Sequence, residues 1–414
     1  MSNEITKKDF LKLIYSRFFL TLAVQMQAVV IGWRVYDLTK DPLSLGIVGL
    51  CEAVPALGLA LYAGYFVDHH HPIKTYRGVV LGSLFSGLIL LFSSRLHGDI
   101  TVSAQILSLY SSSFFTGVAR SFSQPSTFAI VPKLIPRESL AKAQAWMGSI
   151  IQSARVIGPA LGGVAFGFLG IVRTAEAICA LLLLSFMFSF HIETLIEPAL
   201  KVKKIGKMRA DLVEGARFVF KHKILFPALS LDMISVLFGG VTALLPIYAQ
   251  EVLMVGPKGL GLLRASPAIG ATLMGVYLAK VSLKQQAGKW LLTSVAGFGV
   301  CILVFALSKN FVLSFIALGL SGAFDNVSAV IRSTVVQLLS PDHLRGRISS
   351  VNSMFIGSSN ELGELESGLV AKMMGTIPAA VFGGVMCLLT VLLVTLKSSS
   401  LRKLDLEALA KLKT

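Results

Sequence analysis

The sequence predicts an all-α integral membrane protein, with twelve transmembrane helices in two six-helix bundles that repeat each other in parallel. Three observations predict it. Of 414 residues, 54% are apolar and only 14% are charged, and the mean hydropathy is +0.75; a soluble chain carries about 25% charge. Apolar runs near the length of a roughly 30 Å hydrocarbon core recur along the whole chain. Lysine and arginine gather in alternate loops, as the positive-inside rule requires.

The runs lie at about 13–36, 43–67, 75–94, 100–123, 143–166, 172–192, 224–248, 259–280, 289–308, 311–334, 348–370 and 376–396. Unpaired backbone groups are prohibitive in lipid, so each run predicts a helix; the short alternating segments of a strand barrel are missing. The polar start MSNEITKKDF leads into the first run with no small-residue cleavage site, so that run reads as a span rather than a cleaved signal. With both termini in the cytoplasm, 27 basic residues fall on the inner side and six on the outer. Arg34, Arg120, Arg155, Arg264 and Arg332 lie in or near the spans.

The net charge of +16 therefore lines one membrane face, where anionic lipid attracts it; a nucleic-acid partner is not expected. Cys51, Cys179, Cys301 and Cys387 sit singly, without metal or disulfide spacing. No HExxH, CxxC or serine-elbow pattern marks an enzyme, and no cofactor or metal is expected. The chain reads as a monomer.

The longest polar break divides the chain into a bundle at 1–192, a linker at 193–223 and a bundle with its tail at 224–414. The linker ends in DLVEGARFVFKH, which forms either a flexible tether or an amphipathic helix. In the helix, Leu212, Ala216, Val219 and Phe220 face one side, and Asp211, Glu214 and Arg217 the other. A faint repeat crosses the break. IPRESLAKAQAWMGSI begins at Ile135 and SPDHLRGRISSVNSMF at Ser340, 205 residues apart. Two parallel repeats give a cavity that opens to alternate sides when one bundle rocks against the other.

A charge inside the bilayer costs roughly 2.5–3.5 kcal/mol even on the mild insertion scale, so each needs a partner, water or a task. Asp232, Asp325, Glu52, Glu361 and Glu364 are the candidates for carrying protons. Arg34 and Glu52 sit at comparable depths and suggest a salt bridge, with Asp37 as a competing partner. Gln25, Arg34, Arg120, Arg155, Phe238 and Asn326 are candidates for a substrate cavity. Arg120 and Arg155 either face it or snorkel inward. Phe122, Phe238, Tyr248 and Phe324 line an apolar pocket or fill a core. Trp33, Trp146 and Trp290 suit the membrane interface. Asp68, Lys74 and Arg77 flank the turn after span 2, and Arg345 and Arg347 the corresponding turn before span 11; these are the gating candidates. His69 to His71 read as a solvated turn. In SARVIGPALGG, Gly158 and Gly162 share a face that admits a neighbouring helix, and Pro159 weakens the ladder.

RVIGPALGG resembles the span-5 antiporter motif of the major facilitator superfamily, matching at Gly158, Pro159, Gly162 and Gly163. GYFVDHHHPIKTYR is similar to that superfamily's loop between spans 2 and 3 at Gly64 and Asp68. It departs from it at His69, His71 and Pro72, and AKVSLKQQAG lacks the second-half equivalent. WRVYDLTKDPLSLGIVGL, QPSTFAIVPKLIPRESLAKAQA and SPDHLRGRISSVNSM resemble the enterobactin-exporter and macrolide-efflux branch. The resemblance implies the major facilitator fold and a bacterial inner-membrane exporter of an amphipathic small molecule, siderophore-like or drug-like, driven by proton antiport. Import by the same fold, and a sensor or scaffold that moves nothing, are the competing readings. A topology test follows from the charge count: cysteines placed at 196 and 206 should react with impermeant maleimide only in inverted vesicles, and labelling of right-side-out vesicles would reverse the map.

Overall fold

A computed structural model describes residues 2–96, 100–136, 139–192, 214–281, 285–341 and 344–407. Linker residues 193–213, the start of the turn at 342–343, and the side chains of Asp68, Arg345 and Glu361 lie outside the described residues. Among the described residues every regular element is helical.

All twelve expected spans coincide with helical segments. The first half comprises α1 (Ser2–Thr39), α2 (Pro42–Gly58), α3 (Ala60–His69), α4 (Pro72–Arg95), α5 (Val102–Leu134) and α6 (Leu140–Phe190). Span 2 is split between α2 and α3 at Leu59, just after Pro55 and Gly58. The Leu59 N–H still reaches the Pro55 carbonyl at 3.0 Å, so the two pieces continue each other. Spans 5 and 6 form one element, α6, bent at Gly170. The second half begins with α7 at 214–221. Then come α8 (Leu225–Phe238), a 3-10 turn (Val241–Leu244), α9 (Leu245–Ile247) and a π turn (Tyr248–Val252), which together make span 7. It continues with α10 (Gly256–Lys280), α11 (Ala287–Leu307), α12 (Phe311–Leu339), α13 (Arg345–Met374), α14 (Thr376–Lys397) and α15 (Ser399–Arg402).

The chain forms two compact units. One comprises Met1–Val202 with Met254–Ala265, and the other Lys203–Leu253 with Ser266–Thr414. In the first unit α1 packs on α6, and α4 packs on both α5 and α6. The second unit repeats these pairings: α8 packs on α13 and α14, and α11 packs on both α12 and α14. The repeat holds at single residues. Gly117 of α5 meets Pro55, and Gly322 of α12, 205 positions later, meets Pro267. Gly158 of α6 meets α1, and Gly363 of α13, again 205 positions later, meets α8. Added Cβ atoms at Gly158 and Gly162 would stand 2.7 Å from Gln25 Cβ and 2.8 Å from Met26 Cα. One at Gly363 would stand 2.8 Å from the Leu237 carbonyl oxygen. Lipid supplies no hydrophobic drive between helices, so van der Waals contact along such seams holds them.

The linker's last turns take the amphipathic reading. Val219 is fully buried, and Ala216 and Phe218 pack against the same core as Leu225 of α8 and Ile348 of α13. Phe220, expected on the apolar side, is 55% exposed; adjacent helical residues diverge by about 100°, and Val219 takes the inward direction. Glu214 pairs with Arg347 of α13. His222 then receives the N–H groups of Ile224 and Leu225 on Nδ1, both at 3.2 Å. Burial pushes its pKa below 6.5, in keeping with a neutral acceptor ring. Tyr248 takes the core reading: it is fully buried, its hydroxyl donating to the Ala306 carbonyl at 3.0 Å.

Gly170 has φ 75° and ψ 176°, and Gly375, 205 residues later, has φ 91° and ψ 160°. Each turns the chain between the last two spans of its half, in a region that side chains avoid. Gly170→Ala should cost about 1–3 kcal/mol, although nothing stands within 4 Å of the new Cβ. Gly148→Ala, equally unobstructed but inside the same helix, should be neutral or stabilising by up to about 1 kcal/mol. Thermal unfolding of the purified variants checks the pair, and equal melting temperatures would refute the backbone argument.

Candidate functional site

The polar groups of the first unit fall into three sets. One enclosed set is uncharged. Gln27 of α1 donates from Nε2 to Ser86 at 2.7 Å and Ser112 at 3.0 Å. Ser86 and Thr116 share a hydrogen bond of 2.8 Å. Small hydroxyls opposite one amide knit α1, α4 and α5 with no ion in the contact.

The second set is charged. Arg34 pairs with Asp37 at 3.0 Å and donates to Gln105 at 3.3 Å. Glu52 takes Arg120 instead, at 2.8 Å. The suggested Arg34–Glu52 pair is thus replaced by two others. Arg34 is five residues from the end of α1 and Glu52 ten from the start of α2, a depth difference of roughly 7 Å at 1.5 Å per residue. Asp37 is one turn away on the same helix. Arg17, which sequence reasoning passed over as a flanking charge, is buried and bonds Ser123 of α5. Gln25 is half-buried beside Gly158, and Arg155, one turn before that glycine, is exposed.

The third set closes a helix end. Arg77 of α4 donates to the carbonyls of Ser189, Phe190 and Ile192 at 3.2, 3.0 and 3.1 Å. Its guanidinium also lies 5.2 Å from the Phe190 ring centre. Lys12 of α1 donates to the next carbonyl, His191, at 2.5 Å. Cations at a helix C-terminus satisfy its orphan carbonyls and its dipole. Lys74 projects into a groove of about 620 Å³ on α3, α4 and α5. Phe66, Phe115 and Phe122 form apolar walls there, with His70 and His71 also present. The same unit holds the glycine motif: Gly158 and Gly162 seat on α1, and Gly163 meets Gly261, whose Cα would lie 2.7 Å from an added Cβ. Pro159 is buried in that seam.

In the second unit Asp232 of α8 and Arg332 of α12 form an ion pair, each 5% exposed. The sequence left Asp232 either lining a cavity or paired with a neighbouring helix, and it does both. Beside the pair is a cavity of about 10 Å³, the size of one water, lined by Asp232, Ser235, Phe298, Phe324, Asp325 and Ser328. Asp325 is exposed. The hydroxyls of Ser235 and Ser328 and the Asn326 carbonyl oxygen are buried without protein partners, a set suited to a water or a ligand. Phe238 is not at this cavity; it packs edge-on against Phe382 with ring centres 5.9 Å apart. Glu364 is half-buried on α13, and Arg347 is committed to Glu214. Among the described residues no cluster of metal-ligating side chains occurs.

The transmembrane secretion effector family matches residues 5–413. The staphyloferrin A transporter of Staphylococcus aureus is 26% identical over 372 residues, covering 87% of this chain and 89% of its own length. The enterobactin exporter EntS of Citrobacter koseri is 23% identical over 402 residues, covering 96% and 94%. Among solved structures, a POT family transporter in complex with 5-aminolevulinic acid superposes with a TM-score of 0.77 at 11% identity, covering 95% of this chain and 96% of that one. A bacterial homologue of the iron transporter ferroportin gives 0.72 at 17%, covering 94% and 98%. These likenesses establish the fold. With a doubled six-helix pattern and a family match over nearly its whole length, the chain belongs to the transmembrane secretion effector family, multi-pass membrane transporters of the major facilitator type.

Proposed function

We propose that this chain exports an amphipathic small molecule, siderophore-like or drug-like, across the bacterial inner membrane by proton antiport through alternating access. Both termini lie in the cytoplasm in this reading. The observation that carries it is the buried Asp232–Arg332 pair with Asp325 at the same cavity. Among the described residues no cation pairs with Asp325, and it is exposed. It can exchange a proton with water without breaking an ion pair, while the single-water cavity links it to Asp232. The siderophore-transporting relatives support the substrate class. The groove beside Lys74 suits an anionic lipid, with its headgroup at the lysine and an acyl chain along Phe115 and Phe122. The helix-end contacts of Arg77 and the seam at Gly158, Pro159, Gly162 and Gly163 suit elements that shift as rigid pieces during gating.

In proteoliposomes, an imposed pH gradient should drive substrate movement with opposite proton flux. Asp325→Asn should abolish the gradient-driven component and leave substrate counterflow within about twofold of wild type. An unchanged pH response in that variant would reject Asp325 as the carrier. The ion pair makes a separate claim. Removing one partner of a buried pair costs about 3–5 kcal/mol, because it strands the other charge. Arg332→Gln alone should therefore sharply lower the melting temperature, and Asp232→Asn with Arg332→Gln should recover much of the loss. Additive losses in the two single variants would show that the charges are uncoupled.

A further inference from the structure

Three arginines of the first unit, one buried and two exposed, lie close enough for their charges to act on one another. Arg17 of α1 is 7% exposed. One of its terminal nitrogens bonds Ser123, and its Nε is buried without a partner. Arg120 stands one turn before Ser123 on α5 and holds Glu52 at 2.8 Å. Arg155 of α6 bonds no acid among the described residues, and the charges of Arg17 and Arg120 both bear on it. The Ser126 hydroxyl, one turn beyond Ser123 and fully buried, also lacks a partner.

Guanidinium groups keep their charge at every working pH, so this set cannot pass protons. Glu52 answers Arg120, which is 54% exposed, and Arg155 is exposed as well. The buried Arg17 charge, whose printed side-chain bond is to a neutral hydroxyl, is costly unless a counter-anion visits. Arginine's planar fork matches carboxylate oxygens in pairs. The second unit does not copy the set. The position 205 after Arg120 is Asp325, and that after Arg155 is Asn360. The cationic cluster is therefore a property of one half and not a requirement of the shared fold.

We propose that Arg17, Arg120 and Arg155 form the anion-recognition site for the transported molecule, which is a polyanionic amphiphile carrying carboxylate groups. The inference rests on the transport reading and narrows its substrate to one charge class. Arg17 and Arg155 supply the open donors, Ser126 a neutral one, and Glu52 positions Arg120 beside them.

The test uses the full chain in phosphatidylcholine nanodiscs and two dyes of similar ring size, dianionic fluorescein and cationic rhodamine 6G, with binding read by fluorescence polarisation. Fluorescein should bind at least tenfold more tightly than rhodamine 6G. Added salt should weaken it, and Arg155→Gln or Arg17→Gln should each weaken it roughly tenfold, as expected for a lost charge-assisted hydrogen bond. Arg155 is exposed, so its variant remains informative if Arg17→Gln fails to fold. Arg155→Lys should retain part of the affinity. Preference for rhodamine 6G, no fluorescein binding by folded protein, or unchanged affinity in the Arg155→Gln protein would overturn the proposal. So would competition by phosphatidylglycerol that Arg155→Gln removes, since the cluster would then hold a lipid headgroup. Proteoliposome flux separates the two readings. Arginine-dependent binding without flux would sink transport and spare the site. Flux indifferent to both arginine variants would sink the site and spare transport.

Discussion

The close backbone seam between α6 and α1 is the constraint on which the rest of the first unit depends. Lipid gives apolar helices no reason to prefer one another over their surroundings. Adhesion must come from contact, and contact is closest where side chains are smallest. Gly158 and Gly162 present such a face to Gln25 and Met26. The seam fixes the register of α1 against α6, and so decides which polar side chains of α1 point inward. Arg155, one turn before Gly158, is placed by the same helix. Gly363 performs the corresponding task against α8.

The two halves share this scaffold and differ in what they place on it. Glycines 117 and 322, 158 and 363, and 170 and 375 keep one spacing and make like contacts or like turns. The charges do not follow that spacing. In the first half Arg17, Arg120 and Arg155 stand with Glu52, and in the second Arg332 pairs with Asp232 at a cavity that Asp325 also lines. A duplicated fold can keep its packing positions while its cavity-facing positions diverge, because backbone seams tolerate little change and a wet or ligand-facing wall tolerates much.

Polar contacts of the two halves differ in kind at the same depth of burial. The enclosed Gln27–Ser86–Ser112–Thr116 set uses neutral groups. Arg120–Glu52 and Arg34–Asp37 are partly exposed. Asp232–Arg332 is a deeply buried ion pair, and it stands where Ser235 and Ser328 leave further polar atoms open. A cavity that keeps costly charge and unsatisfied donors together is better explained by use than by stability.

Much of the architecture was legible in the residues alone. Span length, the charge asymmetry of the loops, the 205-residue spacing and the small face of IGPALGG each follow from one-dimensional patterns imposed by lipid. The partners of the charges were not legible. Arg34 and Glu52 looked matched in depth, yet Asp37 and Arg120 took them. Asp232 needed a cation, and a residue 100 positions away supplied it. Arg17 passed for an interfacial charge until α5 was seen beside it. Periodicity reports which residues share a helix face, but pairing depends on rotation, crossing and rotamer choice between helices, and these exist only once the chain has folded. The lipid solvent thus wrote the helices and their repeat into the sequence, while the packing of those helices decided which charges meet.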